Sequence, residues 1–327
     1  MKSKIEGKTI VVTGGAGFIG SRLAKRLAYS NEVVVVDNLH SGSIESLRDQ
    51  PVRFIHLDSK DIDQIRFRPD LIFHLGMYAA SAYYKEDHFR MAEVVQEAIA
   101  VFRFALKTKA KVVAASTSSV YHSLPTPHKE DMVPKVAGLY TEGRIAMERL
   151  SEFYNKQYGL EVAALRLFCV YGMGGEVKGR YANIVNRLAL AAAGNDGPVI
   201  YGDGRASRDF IDVEDVVEAF VEAACYHGSG VFNVGSGVSH SLNEVKEKIE
   251  ELTGKSFEVP YAPAPPTFPP ETLADTKKSV NALGFKARIT LELGLARLLD
   301  YYREREALRS ETPLELSQVG KVNSGGG

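Results

Sequence analysis

The sequence lacks the features that mark several large classes of protein. Its 327 residues contain two cysteines, Cys169 and Cys225, and no tryptophan. Two cysteines are too few for a disulfide framework or a thiolate zinc site, so we expect a reducing, cytoplasmic environment. No apolar run approaches the ~20 residues of a membrane span, and the first residues contain no apolar signal-peptide region. The sequence therefore predicts neither a disulfide-rich secreted protein nor a membrane protein.

An excess of charge of one sign is also missing, since 40 Lys and Arg balance 41 Asp and Glu. Proteins that bind nucleic acids or anionic membranes carry a basic excess, so we expect neither partner. The eight histidines show no metal-ligand spacing, and no metal is expected. The hydrophobic content of 45% and the charged content of 25% are those of a globular chain with a large core. A cytosolic enzyme is the leading class.

Short β-branched runs alternate with helical patterns through the first two-thirds of the chain. The runs occupy residues 9–12, 33–36, 53–57, 71–75, 111–115 and 162–167. Helical spacing occurs between them at 19–28, 91–106 and 140–158. Buried parallel strands read as continuous apolar runs, and this alternation places helices on both faces of the sheet. The pattern predicts a doubly wound α/β fold of the Rossmann type.

A glycine-rich segment, TGGAGFIG at 13–20, follows the first predicted strand and opens a helix. Glycines let the backbone approach a pyrophosphate, and the helix N-terminus offers unpaired N–H donors to that anion. Asp37 ends the next strand about 20 residues later, where a carboxylate accepts from ribose hydroxyls and repels a 2′-phosphate. A glycine turn without a ligand is the alternative, which this context disfavours. The pattern predicts NAD and not NADP as the cofactor.

Further motifs follow in order along most of the chain. They are IFHLG at 72–76, STSSVYH at 116–122, GDGRASRDFIDVEDVVEAF at 202–220 and FNVGSG at 232–237. With the glycine segment, they make the chain resemble the extended short-chain dehydrogenase/reductases, specifically the NAD-dependent sugar-nucleotide epimerase/dehydratase family. The resemblance implies a UDP-sugar as substrate.

The resemblance also implies the catalytic residues. It places Tyr140 as the acid/base, Thr117 as its hydroxyl partner on the sugar, and Arg144 where the family has lysine. Removal of a hydride from a sugar carbon requires the attached hydroxyl to lose its proton, and a phenol of ordinary pKa ~10 needs a neighbouring cation to accept it. A spacing of four puts residues 140 and 144 on one face of a helix. The implied substrate-binding residues are Thr117, Ser118, Cys169 and Arg208.

The cofactor contacts implied by the resemblance extend from the glycine segment to the catalytic helix. They are Gly14, Gly17, Phe18, Ile19, Gly20, Asp37, Asn38, Leu39, Ser41, Gly42, Asp58, Ser59, Leu75, Gly76, Tyr140 and Arg144. A NAD-binding domain is expected at 1–167 plus about 207–234, and a smaller C-terminal α/β substrate domain at about 168–206 and 235–308. The remainder, 309–327, is predicted to be a tail. A homodimer is expected, paired through the helical segments 91–106 and 140–158.

Several positions depart from the family pattern. Arg144 keeps the charge of lysine but carries a larger, planar head, Cys169 stands where an asparagine is common, and the N-x-x-G-T pattern is missing around 94–98. We interpret Cys169 as an inert small hydrophobe rather than a reactive thiol.

Among the reactions of the family, 4-epimerisation of a UDP-hexose through a transient 4-keto sugar fits best. After the residue equivalent to Thr117, dehydratases of the family tend to carry Asp-Glu and decarboxylases a glutamate at the second position, where this chain has Ser118 and Ser119. A serine cannot perform carboxylate proton transfer. Two alternatives stay open. One is another reductase, dehydrogenase or dehydratase of the superfamily, and the other is a weakly active or non-catalytic protein that binds NAD or a sugar nucleotide.

Overall fold

The computed structural model describes residues 5–194, 197–265 and 268–311. Within them, seven parallel strands form the large sheet: β1 (Thr9–Thr13), β2 (Glu32–Asp37), β3 (Val52–His56), β4 (Leu71–His74), β5 (Lys111–Thr117), β6 (Val162–Leu167) and β10 (Gly230–Val234). Their order is β10-β6-β5-β4-β1-β2-β3. The order reverses between β1 and β4, and a crevice opens at the carboxyl ends of the strands at such a point.

Helices cover both faces of this sheet. On one face lie α1 (Phe18–Ala28) and α6 (Val213–Cys225), whose apolar residues join those of β1 and β2 in one buried cluster. On the other face, α3 (Arg90–Thr108) and α4 (Leu139–Tyr158) pack on each other and on the sheet, next to the short α2 (Ser81–Glu86). The predicted doubly wound Rossmann-type fold is confirmed.

Most of the remaining elements form a smaller α/β part. Its strands are β7 (Cys169–Tyr171), β8 (Ile200–Tyr201), β9 (Ser207–Asp212), β11 (Ser239–Ser241) and β12 (Tyr261–Ala262), and its helices are α5 (Ile184–Ala192), α7 (Leu242–Thr253) and α9 (Leu291–Glu311). The short α8 (Lys277–Leu283) packs instead on α6 and β10, beside the large sheet. Residues of α5, α7 and α9 build its core, among them Leu188, Val245 and Leu295. In the described part of the chain, no helix has the length and apolar character needed to cross a bilayer.

The predicted division into two domains remains a prediction. The structure shows the path of the chain near the predicted boundaries. Strand β9 was assigned to the NAD-binding domain from the sequence, but it pairs with β7 and β11 in the smaller sheet. The chain then returns to the large sheet through α6 and β10. The predicted tail, 309–327, overlaps α9 at 309–311 and otherwise lies outside the described residues.

Candidate active site

A cavity of about 340 Å³ lies at the carboxyl ends of the central strands and is bordered on one side by the segment that follows β7. Most of the predicted site residues line it: Gly14, Gly17, Phe18, Ile19, Gly20, Asp37, Asn38, Ser41, Ser59, Leu75, Gly76, Thr117, Ser118, Tyr140, Arg144 and Cys169. Four predicted residues are not part of this lining: Leu39, Gly42, Asp58 and Arg208. The structure therefore brings the predicted cofactor and catalytic residues to one place.

The glycine segment has the shape that a dinucleotide pyrophosphate requires. A Cβ on Gly14 would lie 2.6 Å from the backbone nitrogen of Gly76, and one on Gly20 would overlap the carbonyl oxygen of Gly14. Helix α1 begins at Phe18, its N-cap residue Gly17 supplies no side-chain hydrogen bond, and its first turn contains no acidic residue. The N–H groups of that first turn have no intrahelical partner, so the residues fit an anion at this helix end.

Asp37 is buried at the end of β2, where the loop holds its carboxylate in place. The backbone N–H of Ala16 donates to Oδ2 at 2.9 Å, and that of Leu39 donates to Oδ1 at 2.7 Å. A carboxylate has about four acceptor sites, so capacity remains for ribose hydroxyls. Leu39 acts through its backbone, and Gly42 packs behind the loop, where a Cβ would lie 2.8 Å from the Ala16 carbonyl carbon.

Two further predicted contacts support the cofactor side of the cavity. Asn38 lines it and donates from Nδ2 to Oδ2 of Asp58 at 3.3 Å, so Asp58 positions Asn38 from outside the lining. Ser59, the residue after Asp58, donates from Oγ to the carbonyl oxygen of Gly76 at 3.2 Å. The loops after β3 and β4 are therefore tied together beside the glycine segment.

The acid/base candidate Tyr140 lies in the first turn of α4 and faces the cavity. The guanidinium carbon of Arg144 is 5.4 Å from the centroid of its ring, and Arg144 is only 3% exposed. Arg144 donates from Nη2 to the carbonyl oxygen of Tyr78 at 2.9 Å and from Nη1 to the sulfur of Met77 at 2.6 Å. Both partners are neutral, so the full charge of Arg144 remains beside the phenol.

The predicted hydroxyl partner, Thr117, ends β5 and also lines the cavity. Its Oγ1 accepts from the backbone N–H of Ser119 at 3.1 Å and donates to Ser119 Oγ at 3.2 Å, which fixes its rotamer. Ser118 lies beside it in the lining. The segment after β5 therefore offers hydroxyls, and no carboxylate, to a bound sugar.

The other two predicted substrate residues, Cys169 on β7 and Arg208 on β9, belong to the smaller part of the fold. Burial raises the pKa of the Cys169 thiol to about 11, which keeps it protonated near neutral pH and supports its interpretation as an inert residue. Arg208 lies on β9, outside the cavity lining, and donates from Nη1 to the carbonyl oxygen of Ser207 at 2.7 Å. Its guanidinium stacks 4.7 Å from the ring centroid of Phe268.

Sequence reasoning missed two ionisable residues of the cavity, Glu97 and Lys178. Glu97 on α3 is 4% exposed, and its Oε2 is buried with no hydrogen-bond partner among the described residues. Burial, with the nearby Asp58 charge, raises its pKa to about 8. The missing N-x-x-G-T pattern at 94–98 was the available signal for Glu97. Nothing in the sequence marked Lys178.

Comparisons with known proteins agree with this geometry. Residues 10–235 match the sequence model of the NAD dependent epimerase/dehydratase family. The chain is 33% identical over 318 residues to the UDP-glucose 4-epimerase of Mycolicibacterium smegmatis, covering 90% of this chain and 98% of that protein. It is 31% identical over 319 residues to a UDP-N-acetyl-alpha-D-glucosaminuronate decarboxylase of Bacillus cytotoxicus, covering 91% and 99%.

Solved structures with the same fold include two epimerases with bound ligands. The UDP-N-acetylglucosamine 4-epimerase of Methanobrevibacter ruminantium, in complex with UDP-N-acetylmuramic acid, superposes with a TM-score of 0.87 at 29% identity, over 92% of this chain and 100% of that one. The UDP-glucose 4-epimerase of Thermus thermophilus, in complex with NAD, has a TM-score of 0.81 at 27% identity, over 90% and 99%.

Proposed function

Because the chain belongs to the NAD-dependent epimerase/dehydratase family, we propose that it is a sugar-nucleotide 4-epimerase that acts on a UDP-hexose. The family uses NAD, and the cradle of Gly14, Gly20 and Asp37 fits that cofactor. Relatives at similar identity include an epimerase and a decarboxylase, so family membership alone does not choose the reaction. The observation that supports epimerisation is the pairing of Tyr140 with a buried cation beside hydroxyl residues.

Each site residue has a separate role in the proposed reaction. When bound, NAD supplies a hydride acceptor that returns the hydride within the same turnover. Tyr140 accepts the proton of the sugar 4-hydroxyl and gives it back, and the buried cation of Arg144 lies beside its ring. The fixed hydroxyl of Thr117 orients the sugar toward Tyr140. Arg208, whose charge has only a carbonyl and an aromatic ring as partners, would meet the diphosphate of the substrate.

The test is conversion of UDP-glucose, UDP-galactose and their N-acetylated forms, followed by chromatography of the products. We expect interconversion at C4 with no net change in NADH absorbance, and a loss of about 10²- to 10⁴-fold in Tyr140→Phe. Tyr29→Phe, at an exposed tyrosine directly after α1, is the matched control and should turn over normally.

Other outcomes would overturn the proposal. Net production of NADH would identify a dehydrogenase, and loss of carbon dioxide from a UDP-uronate would identify a decarboxylase. Tight binding of NAD and a sugar nucleotide without any turnover would identify a binding protein. Full activity of Tyr140→Phe would move the chemistry away from this residue.

We also propose a homodimer in the cytoplasm, paired through α3 and α4. These helices pack side by side, and α4 exposes the aromatic side chains of Phe153 and Tyr158. An isologous interface uses the same patch on both subunits, so a charge on Phe153 would be repeated across the axis. Light scattering should give a dimer mass for the parent and a monomer mass for Phe153→Glu. Tyr29→Glu, an exposed aromatic after α1, should stay dimeric.

A further inference from the structure

The cavity contains a second cation that no described residue neutralises. Lys178 lies in the short helical segment Gly175–Tyr181 and lines the cavity, and it forms no ion pair with any residue that the structure describes. Burial, with the nearby charge of Arg144, lowers the pKa of its ammonium group. Two cations in one cavity repel each other, so an anion that enters between them is favoured. Lys178 is therefore placed to meet a ligand.

The segment that carries Lys178 is held at both ends. At its start, the carboxylate of Glu176 accepts from the hydroxyl of Tyr301 at 2.7 Å, which ties it to α9. At its end, the ring of Tyr181 packs against that of Tyr83 on α2, with centroids 4.5 Å apart. The first contact belongs to the smaller part of the fold and the second to the larger part. Lys178 is thus fixed between the two parts rather than displayed on a free loop.

The position of Lys178 relative to α1 identifies the group it would meet. Its Nζ is 5.7 Å from the ring centroid of Phe18, the first residue of α1, whose N-cap Gly17 supplies no competing side chain. The ammonium therefore lies beside the helix N-terminus, and both line the same cavity. A helix N-terminus after a glycine segment binds the pyrophosphate of a dinucleotide.

We propose that Lys178 binds the pyrophosphate of NAD from the side of the substrate domain, so that the anion is held between this ammonium and the N-terminus of α1. The carboxylates in the described lining do not substitute for that anion. Asp37 is already held by the backbone N–H groups of Ala16 and Leu39, and burial raises the pKa of Glu97 to about 8, so that its carboxyl is largely protonated at neutral pH. The contact would help to keep NAD bound through repeated turnovers.

Binding, and not turnover, tests this proposal. Calorimetric titration with NAD and with ADP-ribose, which keeps the pyrophosphate but lacks nicotinamide, should give about 10- to 100-fold weaker affinity for Lys178→Met than for the parent. Lys178→Arg, which keeps the charge, should lose less than about tenfold. Lys25→Met removes the same charge from the far end of α1 and should bind both ligands as the parent does. Added salt should weaken the parent more than Lys178→Met.

The competing source of the same anion is the diphosphate of the sugar nucleotide, and titration with UDP separates the two. Unchanged affinity of Lys178→Met for UDP, with weakened NAD and ADP-ribose, supports the proposal. Unchanged affinity for NAD and ADP-ribose overturns it, whether or not UDP binding weakens. Because the proposal concerns the family's cofactor and not the reaction, failure of the proposed epimerase activity would leave it standing.

Discussion

Two arginines of this protein are almost equally buried but have very different surroundings. Arg166 is 4% exposed and forms two contacts with Glu148, from Nη2 to Oε2 at 2.7 Å and from Nε to Oε1 at 3.0 Å. Its Nη1 also donates to the hydroxyl of Tyr121 at 2.8 Å. Arg144 is 3% exposed, and its hydrogen bonds go to a carbonyl oxygen and a methionine sulfur. One charge is neutralised within the fold, and the other is not.

The difference distinguishes charges that stabilise the fold through pairing within the protein from charges that are available to bind a ligand. The Arg166–Glu148 pair joins β6 to α4, and Ser116, next to the candidate residue Thr117, donates from Oγ to Glu148 Oε1 at 2.5 Å. Removal of either member of a buried ion pair is strongly destabilising, because the other charge is then left buried without a partner. Arg144 and Lys178 lack such partners among the described residues and both face the cavity. The Arg166–Glu148 pair positions the segment that contains Thr117. Arg144 and Lys178 supply positive charge to the cavity.

The largest expected effect comes from breaking the neutralised pair. Glu148→Gln leaves the charge of Arg166 buried without compensation, and we expect a loss of about 3–5 kcal/mol in the free energy of unfolding. Urea unfolding followed by circular dichroism measures it. Glu152→Gln removes an exposed carboxylate from the same helix, where it pairs with Lys156, and should leave stability unchanged. Equal stability of the two variants would contradict the structural role of the pair.

A smaller effect is expected at Glu97, where burial raises the pKa of the carboxyl from 4.5 to about 8. Below pH 4.5 the carboxyl is protonated in both the folded and the unfolded state, so this group makes its most favourable contribution to stability there. As the pH rises toward about 8, the unfolded state ionises first, and this contribution to stability is lost. Glu97→Gln removes the effect. It should be more stable than the parent by about 3 kcal/mol at pH 7 and similar to it near pH 4.5.

Urea titrations at pH 4.5, 7 and 8 measure this dependence, with Glu152→Gln as the control that keeps the parent's profile. A parent whose stability relative to Glu97→Gln does not change with pH would show that the carboxyl ionises normally. In that case the cavity would contain a negative charge at neutral pH, and the contrast with the Arg166–Glu148 pair would weaken.

The cofactor cradle was predictable from the sequence because its demands are local. Gly14 and Gly20 have no room for a Cβ, and Asp37 ends a strand whose valines are fully buried, so residue type alone marks these positions. The parallel strands were predictable for a similar reason, because strands that are buried on both faces appear as continuous apolar runs in the sequence. Each of these features is decided within one strand and one turn.

The missed features depend on contacts between distant parts of the chain. Lys178 faces the cavity because its segment packs on Tyr83 and Tyr301, which are far away in the sequence. Strand β9 pairs with β7 and β11 rather than with the large sheet, although its sequence resembles any short buried strand. Periodicity and motif spacing contain no information about such partners, so a single sequence could not reveal them.

The smallest effect on stability, and the sharpest test of the comparison, is expected at Arg144. Replacement of a buried cation that has no anionic partner by an apolar side chain is often neutral, so Arg144→Met should change the free energy of unfolding by less than about 1 kcal/mol. Its turnover of UDP-glucose should nevertheless fall strongly, because Tyr140 loses the cation over its ring. Arg144→Lys restores the family's residue and should keep or raise activity. Should Arg144→Met instead unfold as readily as Glu148→Gln, both arginines would be structural, and the assignment of Arg144 to the site would have to be abandoned.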